Sequence, residues 1–226
     1  MSRNAWRTAG ALALAHVILM MAAISQQRSP RLGEDAASEY AGADLARVLA
    51  GGYLEAVAFL LLVPVVAFLG RAVGRRTETG RWAASTGRAA GIGYITSTLT
   101  VGLPAGAAAV YGADHGADLA TVTVVNDVRN FAFLLSMLLL AVHVAGVALA
   151  VLGDGLLPAW LGWSGLATAG VLVGTVPFAV TGAVDYATLL WILWFIALAA
   201  AMIRHRPEAA ALPAAGGAPA PAPVPA

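Results

Sequence analysis

Apolar residues run through this chain in long, almost uninterrupted stretches, and the charges gather in short segments between them. A hydrocarbon core of roughly 30 Å is crossed by about 20 residues of helix. Six runs reach that length with few charges: about Arg7 to Ser25, Gly52 to Gly70, Ala89 to Gly112, Asn130 to Gly153, Trp160 to Gly182 and Tyr186 to Ile203. The pattern predicts an all-α, polytopic membrane bundle of six transmembrane helices. No charge lies between Gly155 and Val184, so Pro158 and the Trp160/Trp163 pair mark the connector between the fourth and fifth runs. Tryptophan favours the headgroup level, which puts that connector at an interface.

Arginine bias sets the orientation. Arg3 and Arg7 precede the first run, Arg71, Arg75, Arg76, Arg81 and Arg88 separate the second from the third, and Arg204 and Arg206 follow the sixth. All three segments, and hence both termini, are expected on the cytoplasmic side. The opposite side receives 26–51, rich in Glu34, Asp35, Glu39 and Asp44, together with 113–129 and the turn at Asp185. Ala23-Ile24-Ser25 resembles a signal-peptidase site, but the arginine spacing favours an uncleaved first span. In Ser38–Gly51, Tyr40, Leu45, Val48 and Leu49 approximate a helical stripe ending at Gly51-Gly52, which reads either as a short amphipathic surface helix or as a solvated loop. Residues 1–206 form the transmembrane domain, and the Pro/Ala-rich tail 207–226 is expected to be disordered.

Composition narrows the class. With 60% hydrophobic and 11% charged residues and a mean hydropathy of +0.80, the chain is too apolar for a water-soluble domain of this size. A net charge of +1 gives no reason to expect nucleic acid. The absence of cysteine removes disulfides, thiolate metal sites and cysteine nucleophiles. All thirteen basic residues are arginine, so no lysine is present to form a Schiff base. Arginine without lysine, with abundant alanine and glycine, suggests a GC-rich bacterial genome.

Candidate chemistry then reduces to a few polar groups inside apolar runs. The third run carries Tyr94, Thr96, Ser97, Thr98 and Thr100 with Gly102-xxx-Gly106, and the fifth carries Gly165, Gly170 and Gly174. Both read as centrally packed helices, with a substrate path as the alternative. The sixth, with Leu190, Trp191, Trp194 and Phe195 and neither glycine nor proline, reads as lipid-facing. His16 lies about 14 Å of helix from Arg7 and His143 about 16 Å from Asp154, near the bilayer centre. Axial haem ligation by this pair is one reading, and neutral histidines bonded to neighbouring helices the preferred one. No third ligand at that depth supports a metal.

Glu55 is the one acidic residue inside an apolar run, and an intramembrane carboxylate is costly enough to be a functional candidate. Arg129 is its natural partner, with Asp127, Asn126 and Asn130 alongside. The arrangement reads as a structural ion pair, or as an outward polar cluster of Glu55, Asp127, Arg129 and Asp185 that binds a small ligand or proton. No nucleophile elbow, phosphate loop or metalloprotease helix occurs, so neither catalysis nor a cofactor is expected. The lipid bilayer is the expected partner, with a membrane protein or a second copy of the chain as further candidates.

Asn130-Phe131-Ala132-Phe133, the connector Leu157-Pro158-Ala159-Trp160-Leu161-Gly162-Trp163-Ser164-Gly165-Leu166, and Tyr53-Leu54-Glu55-Ala56 through Arg71 resemble bacterial multi-pass proteins catalogued as domain of unknown function 4386. The resemblance implies a six-span inner-membrane bundle and supplies no activity. The expected role is accessory, sensory or scaffolding without catalysis; the alternative is transport or ligand binding at the outer cluster.

Overall fold

The structure, a computed structural model, describes residues 1–27, 30–32, 34–40 and 42–205. The tail 207–226 lies outside the described residues. Helices α1 (Arg3–Ile24), α2 (Ala36–Tyr40), α3 (Leu45–Ala72) and α4 (Glu78–Ser97) come first. A π-helical turn, Thr98–Gly102, leads into α5 (Leu103–Asp114), followed by α6 (Leu119–Asp154) and α7 (Ala159–Thr175). A 3₁₀ turn, Val176–Thr181, then precedes α8 (Ala183–Arg204). Side-chain caps fix several starts: Ser2, Asp44, Thr77 and Asp118 each accept a backbone N–H three residues on. The described residues contain no strand.

Five helical segments are long and apolar enough to cross a membrane: α1, α3, α6, α7 with its 3₁₀ turn, and α8. The third expected span is not among them. Its helix starts at Glu78, within the arginine-rich segment, and is interrupted by the π turn just before Pro104. Proline supplies no N–H to its own turn, and a wide turn is one way the helix accommodates it. The second span also starts earlier than expected. Gly51-Gly52 does not break it, and α3 runs from its Asp44 cap at Leu45 without interruption. The stripe expected on a separate surface helix is therefore divided between α2 and the first turn of α3.

Helix α6 is the most buried of the five. From Ser136 to Val151 it is enclosed on most sides, as a helix apolar all round should be. The α4–π–α5 segment lies antiparallel along it. Gly153 meets Thr77 and Gly80, Gly146 meets Ala83 and Gly87, His143 meets Gly91, Arg129 crosses Gly106 and Val122 approaches Gly112. A β-carbon on Gly146 would sit 2.6 Å from the Ala83 carbonyl oxygen and from the Gly87 α-carbon, so here the two backbones touch.

The glycines of the expected packing motifs behave differently from one another. Gly106 and Gly165 are closely approached, whereas Gly102, Gly170 and Gly174 face open space. Helix α7 is accordingly peripheral, not central as expected. Helix α8 corrects the opposite way. Trp191, Trp194, Phe195 and Leu198 are buried at the i, i+3, i+4, i+7 spacing of one helix face, and Trp194 Nε1 donates to the Leu161 carbonyl at 3.0 Å. Leu189, Leu193 and Tyr186 take the exposed face.

One end of the bundle is locked by Asp154. Its carboxylate accepts the backbone N–H groups of Arg75 and Arg76, both at 2.8 Å, while Arg76 Nη1 donates to the Asp154 carbonyl. This fastens the α3–α4 connection to the end of α6. The other end carries the α1–α3 connection, the α5–α6 turn and the Gly182 turn.

Candidate ligand-binding cavity

At that second end a cavity of about 390 Å³ opens between α1, α3, α6 and α8. Three local features place Glu55 in its wall. Glu55 and Phe59 are four residues apart on α3 and so share a face. Gly51, one turn earlier, lets the chain after α1 come close: a β-carbon there would sit 2.8 Å from Gln27 Cγ. Gln27 Nε2 consequently donates to Glu55 Oε2 at 2.8 Å. Among the described residues Glu55 Oε1 has no such partner, and it is not among the buried unpaired atoms, so it is the oxygen left open where Glu55 lines the cavity.

Arg129, Asn130, Phe133, Ser136 and Met137 reach the cavity from successive turns of α6. Asn126 and Asn130 both donate to the Pro30 carbonyl, at 3.4 and 3.3 Å, and Tyr40 Oη donates to Asn126 Oδ1 at 2.9 Å. These bonds hold the α1–α3 connection over the cavity. Arg129 hydrogen-bonds Tyr40, whose phenol is pushed up by burial and pulled back by the Arg129 charge. The stem of Arg129 lies across Gly106, within 2.9 Å of where a β-carbon would be. That charge also acts on Glu55. A second cavity, about 320 Å³ and bounded by α3 and α5, shares Gln27 and Arg129 with the first. These two side chains thus form a partition.

At the mouth, Arg31 Nη2 pairs with Asp185 Oδ2 at 2.7 Å, both side chains about half exposed. The floor is aromatic: Phe59 and Tyr94 lie 5.2 Å apart, Tyr94 and Trp191 6.3 Å. Beneath it His16 is sealed from solvent, edge-on to Phe59, Trp191 and Phe195. Its Nδ1 donates to the Ala58 carbonyl at 2.8 Å. His16 Nε2 and Trp191 Nε1 are left as buried polar atoms without a partner among the described residues.

The sequence-predicted residues separate in the fold. Glu55, Arg129 and Asp185 line the first cavity, whereas Asp127 lines neither. Helical residues turn by about 100° each, so the side of α6 that presents Asn126, Arg129 and Asn130 turns Asp127 away. His143 donates to the Gly87 carbonyl at 2.8 Å in the α4–α6 contact, while α1 packs on α3 and α8. The two histidines therefore serve different helix pairs and do not converge. His16 borders neither cavity, and the rings around it leave no space for a macrocycle. Gln27, Arg31 and Phe59 were not indicated by the sequence, while Tyr94 was read chiefly as a packing residue and Trp191 as lipid-facing. Gln27 and Arg31 lie in the connection, where only tertiary structure gives them partners, and the aromatic residues read as ordinary span residues.

A sequence model of the family described as "Domain of unknown function (DUF4386)" matches residues 8–204. No curated protein and no solved structure matches the chain.

Proposed function

This chain belongs to the DUF4386 family, and for it we propose a non-catalytic role: a membrane bundle that binds a small amphipathic molecule in the Glu55 cavity. The observation that carries this reading is a carboxylate with one oxygen bonded to Gln27 and the other open to a space of about 390 Å³. A carboxylate meant only to staple helices would have both oxygens satisfied by protein, because an unpaired charge at low dielectric is costly. Apolar walls with a few convergent polar groups are the usual form of a ligand site. Such binding suits a sensory or accessory protein, and equally the first step of transport.

The topology proposed with it is six crossings of a bacterial cytoplasmic membrane, with both termini inside. Its support is the antiparallel course of α4–π–α5 along α6, from Thr77 beside Gly153 to Gly112 beside Val122. A segment following a spanning helix over that length crosses with it. Arg3, Arg7, Arg71, Arg75, Arg76 and Arg204 stand at one end and Glu34, Asp35, Asp118 and Asp185 at the other, in keeping with a positive inside.

A thermal-shift screen of the purified protein against small amphipathic molecules tests the reading. A true ligand at a hundred times its Kd stabilises by about 2.7 kcal/mol, and Ser136→Trp, which fills the cavity, abolishes the shift. If the same molecules stabilise both proteins equally, they bind elsewhere and the reading fails.

A further inference from the structure

Resting on the cavity as a ligand site, we infer that its ligand is an amphipathic organic cation, an amine with an apolar body, whose charged nitrogen sits at Glu55 Oε1. The charges around the cavity are not equivalent. Arg31 is already matched by Asp185 at 2.7 Å. Arg129 is engaged by Tyr40 and held against Gly106, on the side shared with the second cavity. Glu55 Oε1 is the charged acceptor left facing the space, and an N–H or N⁺ group is its complement.

The floor supports the same class of ligand. Phe59, Tyr94 and Trp191 border the cavity together with Glu55, and aromatic faces attract a desolvated cation through their quadrupoles. A carboxylate ligand would meet Glu55 with repulsion in a medium of low dielectric. A neutral ligand would offer the Glu55 carboxylate no opposite charge.

Three isosteric probes separate these cases: 4-phenylbutylammonium, 4-phenylbutan-1-ol and 4-phenylbutanoate, titrated calorimetrically against the full chain in nanodiscs of zwitterionic lipid. The ammonium is expected to bind at least tenfold more tightly than the alcohol, and the carboxylate most weakly. Glu55→Gln should abolish the ammonium's advantage and bring the two to comparable affinity, and continued binding of the alcohol also shows that the variant is folded. If Glu55→Gln does not fold, Glu55→Asp, which draws the charge back by one methylene, should narrow the ammonium's advantage. A carboxylate that binds tightest, or an ammonium advantage that survives these substitutions, overturns the cation assignment and leaves the cavity as a site for another ligand. Should none of the three bind wild type, or should all bind Ser136→Trp equally well, the cavity reading itself falls.

Discussion

The contact between α4 and α6 at Gly146 offers the sharpest energetic prediction. A β-carbon placed there lies 2.6 Å from the Ala83 oxygen and the Gly87 α-carbon and 2.8 Å from the Gly87 nitrogen. Carbon atoms in contact need about 3.5–4.0 Å, so Gly146→Ala drives the helices apart by about 1 Å. All the atoms met belong to backbone, and no side chain can rotate aside. The His143–Gly87 hydrogen bond, 2.8 Å long and one turn away, then passes beyond bonding distance. Overpacking contributes about 1–3 kcal/mol, and a buried group left unbonded about 1–3 more, giving a loss of roughly 2–6 kcal/mol. Reversible unfolding in mixed micelles measures it. Gly170→Ala, which meets open space, is the control and should be neutral or slightly stabilising, since alanine is the better helix former. Gly146→Ala as stable as wild type would refute the backbone contact and with it the antiparallel course of α4–α5.

Other expectations follow from single side chains. Asp154→Ala strands the N–H groups of Arg75 and Arg76 and should cost about 2–4 kcal/mol, while raising proteolysis of the 73–77 connection. Gly106→Val displaces the Arg129 stem that lies 2.9 Å from its β-position and with it the hydrogen bond between Arg129 and Tyr40, which should cost about 1–3 kcal/mol in a reversible-unfolding assay. His205 packs against Trp6 at 4.4 Å, and burial pushes its imidazole below the ordinary 6.5, partly offset by a hydrogen bond to the Leu156 backbone. The neutral form is thus favoured on folding, so this contribution is complete above pH 6.5 and is lost as pH falls from there through the lower folded value. His205→Phe should flatten that part of a melting-temperature profile.

Much of the fold is legible in the sequence because the bilayer fixes helix length, and the long apolar runs state it openly. The five spanning segments coincide with expected runs to within a few residues, except at the start of α6, which reaches back to Leu119, and at the start of α3. There Gly51-Gly52 reads as a break, but Asp44 had already capped the helix and Gly51 serves to admit Gln27. The third run was harder because its segment divides its length between an arginine-bearing, alanine-rich half and a proline-led half. Glycines were misread for a related reason. Small residues permit close approach but do not reveal whether a neighbour arrives, which is why Gly106 is packed and Gly102 is not. At the candidate site, the cost of an intramembrane charge singled out Glu55 from sequence alone. Its hydrogen-bond partner did not follow, because Gln27 sits in an irregular connection whose path no periodicity describes. Asp127 was drawn in by its nearness in sequence to Arg129, and helical rotation removes it.

Thiol accessibility decides whether the Glu55 cavity is open to water from the acidic end of the bundle. The chain contains no cysteine, so Thr188→Cys supplies a single, nearly isosteric thiol in the cavity wall. Ala141→Cys, in the core, and Ile196→Cys, on the outer face of α8, are the controls. A charged, membrane-impermeant methanethiosulfonate added to intact cells should modify Thr188→Cys within minutes and spare both controls, and a bound ligand should slow the reaction. A thiol at position 188 as inert as that at 141 would mean that water does not reach the cavity, contradicting the account.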